Sequence, residues 1–111
     1  MSGISIGSRL TYLPFSGSST TLTLAYTAVT STYLIQQFDF VIDCTANTFT
    51  VTLPTAVGIT GKQFCIKNSG TGSITVDGNG SETIDEALTF ILSTKGESIW
   101  VVSDGANWKV I

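Results

Sequence analysis

Four carboxylates form the densest group of side chains that could bind a metal ion or act in acid–base catalysis. They lie between positions 77 and 86 and are Asp77, Glu82, Asp85 and Glu86. A calcium loop of the helix–loop–helix kind needs glycine at its sixth position and glutamate at its twelfth, where this segment has Glu82 and Leu88. Glycoside cleavage needs two carboxyl groups at a defined separation, which this spacing does not fix. We therefore expect neither a metal site nor catalysis here.

No nucleophile can be paired with a base elsewhere in the chain. Histidine is absent, and the many serines do not occur in the Gly-x-Ser-x-Gly pattern of a nucleophile elbow. The sequence therefore predicts a protein that is not an enzyme and needs no cofactor.

The two cysteines are predicted to lie on different faces of their strands. Cys44 continues an apolar alternation, whereas Cys65 alternates with the apolar residues Phe64 and Ile66. The first residues lack the basic and apolar regions of a signal peptide, so synthesis in a reducing cytoplasm is expected. We interpret both cysteines as free structural thiols, without the further ligands of a zinc site.

Two tryptophans in the last twelve residues could stack on sugar rings. Trp100 and Trp108 occupy positions compatible with the inside of a final hairpin, so we interpret both as core residues in the first instance. The segment 99–102 is nevertheless apolar on both faces, as in a strand that is central or covered by a partner. Trp100 is therefore also a candidate contact for a partner.

The elements that would position these residues are short β-strands. Apolar residues recur at every second position, as in Phe49, Val51 and Leu53, and glycine-rich turns separate the runs. In the run 38–43 this period places Phe38 inward and Asp39 outward. Strands are predicted at 33–35, 38–43, 48–53, 62–68, 73–77, 82–85, 88–92, 98–103 and 107–111. Such spacing without a helical period predicts an all-β sandwich, jelly roll or barrel.

The composition of the chain limits its partners. At 111 residues it is expected to form one domain, with 12% charged residues and a net charge of −3. Its five basic residues are scattered, so nucleic acid is not an expected partner. No uncharged apolar run approaches the roughly 18 residues of a membrane span. A surface this poor in charge favours coverage by other protein.

The N-terminal region, residues 1–31, allows two interpretations. No charged residue lies between Arg9 and Asp39, yet large apolar residues are frequent. The region could form strands that close the domain's own core. Alternatively, residues 1–19 could form an uncharged arm that binds a neighbouring subunit or partner. The arm's candidate contact residues are Ile4, Ile6, Leu10, Tyr12, Leu13 and Phe15.

An ordered series of short motifs lies between positions 39 and 111. The motifs are Leu53-Pro54, Gly61-Lys62, Ile66-Lys67-Asn68, Ile74-Thr75-Val76, Thr83-Ile84-Asp85, Gly96-Glu97-Ser98, Ser103-Asp104-Gly105 and Asn107-Trp108. This series resembles a β-module of tailed-bacteriophage structural proteins, which occurs in tail fibres and in small capsid-decorating proteins. The chain as a whole is most similar to the decoration, or staple, proteins of epsilon15-like short-tailed phages.

The resemblance implies a jelly-roll-like β-sandwich of short antiparallel strands over residues 32–111, preceded by an extended arm. It implies a structural protein that is assembled in the host cytoplasm. There it would bind the outside of the capsid and clamp neighbouring copies of the major capsid protein. Further copies of the chain are expected partners, with a dimer preferred to a trimer. The alternative is a tail-fibre or adhesin module that binds a glycan or protein on the host surface.

Overall fold

Alternating apolar and polar residues build nine β-strands within residues 21–111, the residues that this computed structural model describes. This part of the chain contains no helix, so the predicted all-β class is confirmed. The strands are β1 (Tyr26–Val29), β2 (Tyr33–Leu34), β3 (Val41–Cys44), β4 (Phe49–Thr52), β5 (Gln63–Asn68), β6 (Ile74–Asp77), β7 (Thr89–Leu92), β8 (Ser98–Ser103) and β9 (Trp108–Val110).

The strands form two sheets that pack face to face as a sandwich. Sheet A has the order β1-β3-β5-β8-β9, and sheet B has the order β2-β4-β6-β7. Strand pairing in both sheets is mixed. The expectation of antiparallel strands is wrong for β1-β3, β3-β5, β2-β4 and β4-β6, all of which pair in parallel. These pairings do not confirm the jelly-roll connectivity that the resemblance implies.

The parallel pairs arise because the chain changes sheet after each of its first five strands. It passes from β1 in sheet A to β2 in sheet B, returns to β3 beside β1, and continues in this way to β6. Each return lays the new strand alongside the previous strand of the same sheet in the same direction. Alternation along a strand specifies which side chains are buried but not which direction a neighbouring strand runs.

The first six strands thus form a coil that alternates between the two sheets. The remaining three strands complete the sheets by antiparallel pairing. β7 adds to β6, β8 adds to β5, and β9 follows β8 through the predicted turn at Asp104 and Gly105. The outer edge of β9 is covered by a tight turn in which Asp85 and Glu86 have positive φ angles. Trp108 N donates to Thr83 O at 2.8 Å, and Asp85 N donates to Trp108 O at 3.0 Å.

The core lies between the two sheets and is made mostly of aliphatic side chains. Trp108 is its largest member; its ring lies 5.6 Å from that of Phe64, and its Nε1 donates to Pro54 O at 3.2 Å. The inward prediction is confirmed for most apolar positions of the strands. The buried members include Ile42, Val51, Leu53, Phe64, Ile66, Ile74, Val76, Ile84 and Leu92.

Three predicted orientations are wrong: inward for Phe38 and Leu88, and outward for Asp39. Phe38 is 74% exposed and Asp39 is completely buried, because residues 36–39 form a turn and not the start of a strand. The Asp39 carboxylate is stabilised there by hydrogen bonds from Thr27 Oγ1, Tyr33 Oη and Gln36 N, at 2.7 to 2.8 Å. Leu88 is 58% exposed because it precedes β7 instead of belonging to it.

Candidate functional site

A row of apolar side chains crosses the outer face of sheet A at right angles to its strands. We call this row the apolar stripe, and it consists of Tyr26, Val41, Cys65, Trp100 and Ile111. The first four are direct neighbours in the strand register, and Ile111 N donates to Trp100 O at 2.9 Å. Five strands at about 4.8 Å spacing make the stripe about 19 Å long.

Trp100 is the largest side chain of the apolar stripe. The core interpretation is confirmed for Trp108 but wrong for Trp100, which is 37% exposed. The reason is the alternation of β8, in which Ile99 and Val101 face the core and Trp100 faces outward. Phe40 packs against the indole edge-to-face, with ring centroids 5.3 Å apart, and restricts its orientation.

Tyr26 presents a second aromatic ring at the β1 end of the stripe. Its ring is 64% exposed, but its hydroxyl donates a 2.5 Å hydrogen bond to Asp43, which also accepts one from Ser69 Oγ at 2.5 Å. The hydrogen bond to Asp43 raises the pKa of Tyr26, so the phenol stays protonated at neutral pH. The sequence signal for this residue is the alternation of Leu22, Leu24 and Tyr26, which indicates a strand but not which of its faces stays exposed.

Polar side chains border the apolar stripe along the next row of the sheet. Asp43, Lys67 and Ser98 are register neighbours there. Lys67 Nζ donates to Gly96 O at 3.1 Å, which holds the ammonium group at the border of the stripe. The outer face of sheet A therefore combines an apolar centre with a polar rim, the arrangement found in protein–protein interfaces.

The two cysteines are free and lie on opposite faces of sheet A, as predicted. Cys44 faces the core, where burial raises the pKa of its thiol to about 12. Cys65 is nearly covered within the apolar stripe, and burial raises its pKa as well. Both thiols are therefore protonated and poorly nucleophilic at neutral pH.

Two of the four carboxylates between positions 77 and 86, Glu82 and Asp85, are used in structural hydrogen bonds. Glu82 accepts from Thr55 Oγ1 at 2.6 Å and from Ala56 N at 2.9 Å. Asp85 accepts from Val110 N at 3.0 Å, on the edge of β9. Across residues 21–111 no three His, Cys, Asp or Glu side chains come close enough to hold a metal ion.

An open pocket of about 400 Å³ lies where the parallel strands β2, β4 and β6 of sheet B end. The residues after these strands supply its walls, among them Phe38, Pro54 and Asn79. Sequence reasoning did not find this pocket, because it depends on three strand ends that only the parallel coil brings together.

The structure leaves most of the predicted partner-binding residues untested. Of the proposed partner-binding residues it places only Trp100. Ile4, Ile6, Leu10, Tyr12, Leu13 and Phe15 lie outside the described residues, so their role stays a prediction.

Comparisons of the chain with protein families, with curated proteins and with solved structures found no match. Between residues 21 and 111 there is no helix with the length and apolar character needed to cross a bilayer.

Proposed function

We propose that the chain is a structural virion protein that binds the outside of an assembled phage capsid and clamps neighbouring copies of the major capsid protein. The motif series between positions 39 and 111 supplies the class of protein. The apolar stripe is the observation that carries the proposal, because it offers a surface on which a protein partner can bury Trp100 and Tyr26.

The chemistry of this face favours a protein partner. Interface cores are poor in charge and rich in aromatic residues, with a polar rim around them. The apolar stripe contains no charged side chain, and Asp43 and Lys67 lie beside it. Binding driven by such burial depends only weakly on ionic strength, because screening acts on charge pairs and not on apolar contacts.

Residues 1–19 and further copies of the chain complete the proposal. As an uncharged arm, residues 1–19 would extend the contact to a second capsid subunit. Self-association, with a dimer preferred to a trimer, would let one oligomer of the chain bind capsid subunits on both sides of the boundary between them.

Adding the purified protein to shells that lack it tests the proposal. We expect saturable binding that persists in high salt, together with a higher temperature of shell disruption. Trp100→Ala should weaken binding at least tenfold, while Leu88→Ala serves as the matched control, because Leu88 is exposed and lies on the side of sheet B. Failure of the wild-type protein to bind, or binding by the Trp100 variant equal to that of the control, would refute it.

A second candidate is a tail-fibre or adhesin module that binds a host surface glycan or protein. The exposed rings of Trp100 and Tyr26 favour it, since aromatic faces also pack against sugar rings. Copy number distinguishes the two functions. Decoration needs many copies in each virion, whereas a fibre tip needs few, and only the adhesin should bind cells in the absence of capsid.

A further inference from the structure

We infer that the pocket at the ends of β2, β4 and β6 is a binding site for a neutral saccharide. This site is on sheet B, whereas the apolar stripe is on sheet A, and the inference does not rest on the proposed capsid function. It follows from three properties of the pocket: an aromatic wall on an anchored turn, unpaired amide side chains and a lining without charge.

The aromatic wall is Phe38, an exposed residue on a turn that hydrogen bonds anchor. Its turn is fixed at both ends, because Asp39 N donates to Gln36 O at 3.0 Å and Gln36 N donates to the Asp39 carboxylate at 2.8 Å. The same carboxylate is anchored by Tyr33 Oη. A ring that is 74% exposed on an anchored turn can stack on a ligand with little loss of conformational entropy.

The polar groups of the pocket suit hydroxyl groups. Gln37 and Asn79 line it, and among the described residues their side-chain amides make no hydrogen bond. An amide both donates and accepts, as a sugar hydroxyl does. Thr55 is fixed beside them by its hydrogen bond to Glu82. An apolar ligand would leave these groups unpaired at a cost.

None of the eight lining residues carries a charge. A charged ligand would lose hydration here without gaining a counter-ion, which disfavours acidic sugars and nucleotides. A volume of about 400 Å³ is at the small end of the range for ligand sites, and its open side leaves room for further sugar units. Leu34 and Pro54 provide the apolar floor on which the C–H face of a pyranose ring can lie.

NMR titration of the ¹⁵N-labelled full chain tests the inference. The probes are maltotriose, mannotriose and lactose, with trigalacturonic acid as the acidic comparison and a Pro-Gln-rich peptide as the protein comparison. We expect at least one neutral saccharide to shift the side-chain amide signals of Gln37 and Asn79 at millimolar concentrations. Phe38→Ala should weaken that binding at least tenfold, and Leu88→Ala should leave it unchanged.

The amide spectrum also shows whether each variant is folded. Should Phe38→Ala not fold, Gln37→Ala replaces it, because Gln37 is exposed and its side chain makes no hydrogen bond with residues 21–111. The inference is overturned if no neutral saccharide shifts these signals, or if only the acidic sugar or the peptide does. Shifts centred on Trp100, or wild-type affinity in the Phe38 variant, would also overturn it.

Discussion

Tyr33 in sheet B donates a hydrogen bond of 2.7 Å to the buried carboxylate of Asp39, which also accepts one from Thr27 in sheet A. One carboxylate thus connects the first strands of the two sheets and anchors the turn that carries Phe38. Since a buried carboxylate is stable only when its oxygens are paired, this cluster should be sensitive to the protonation of its donors.

The first prediction concerns alkaline pH. Burial, reinforced by the hydrogen bond to Asp39, raises the pKa of Tyr33 to about 12. The neutral phenol therefore stabilises the folded state fully below pH 10, the ordinary pKa, and this contribution is lost as the pH rises towards 12. Tyr33→Phe removes the ionisable hydroxyl and with it this pH-dependent contribution to stability. In urea unfolding, the difference in free energy of unfolding between wild type and variant should be smaller at pH 11 than at pH 8. An equal difference at the two pH values would contradict this.

The second prediction separates the two tryptophans by their effect on folding. Trp108→Ala should lower the free energy of unfolding by about 3–5 kcal/mol, because it empties a completely buried site. Trp100→Ala should cost about 1 kcal/mol, because the indole lies on the outer face. Urea unfolding followed by circular dichroism measures both. Equal losses would mean that Trp100 is also part of the core.

The third prediction uses Cys65 as a reporter of the apolar stripe. In the native protein neither thiol should react readily with Ellman's reagent, since both are buried and protonated. Trp100→Ala should speed the reaction of one thiol at least tenfold, because Trp100 lies directly opposite Cys65. Adding Cys65→Ser to that variant should abolish the fast reaction. A fast reaction at Cys44 would contradict the assignment of the two faces.

The fourth prediction concerns residues 1–19. Their deletion should leave a folded β-sandwich, because the described core is made of residues from Val29 onward. The truncated chain should no longer remain bound to capsids if these residues form the proposed arm. Circular dichroism checks the fold and co-sedimentation with shells checks binding. Retention equal to that of the full chain would show that the arm is not needed.

Strand positions were predictable from this sequence where one face of a strand is buried. The alternation of Phe49, Val51 and Leu53 is sufficient to identify β4 and its inward face, and Ser98–Ser103 has the predicted bounds. Strand direction was not predictable, because a parallel and an antiparallel neighbour bury the same alternating residues. The coil and the pocket at its strand ends therefore became visible only in the structure.

The errors at Phe38 and Trp100 have different causes. Both are large aromatic residues at positions where alternation alone suggests burial. Hydrogen bonds in the turn expose Phe38, whereas Trp100 is exposed because it lies on the outward side of β8. The buried Asp39 fixes the turn and expels Phe38 from the core, while Ile99 and Val101 take the inward positions of β8. These two aromatic residues, which sequence reasoning wrongly placed inside, are those on which the surface proposals depend.

The tight turn that covers β9 also determines how copies of the chain can associate. Unpaired strand edges are the places where proteins polymerise without limit, and sheet A would offer such an edge at β9. The hydrogen bonds of Thr83 and Asp85 to this strand occupy the edge. A second copy of the chain therefore cannot add a strand at β9, and any assembly that the chain forms must use another surface.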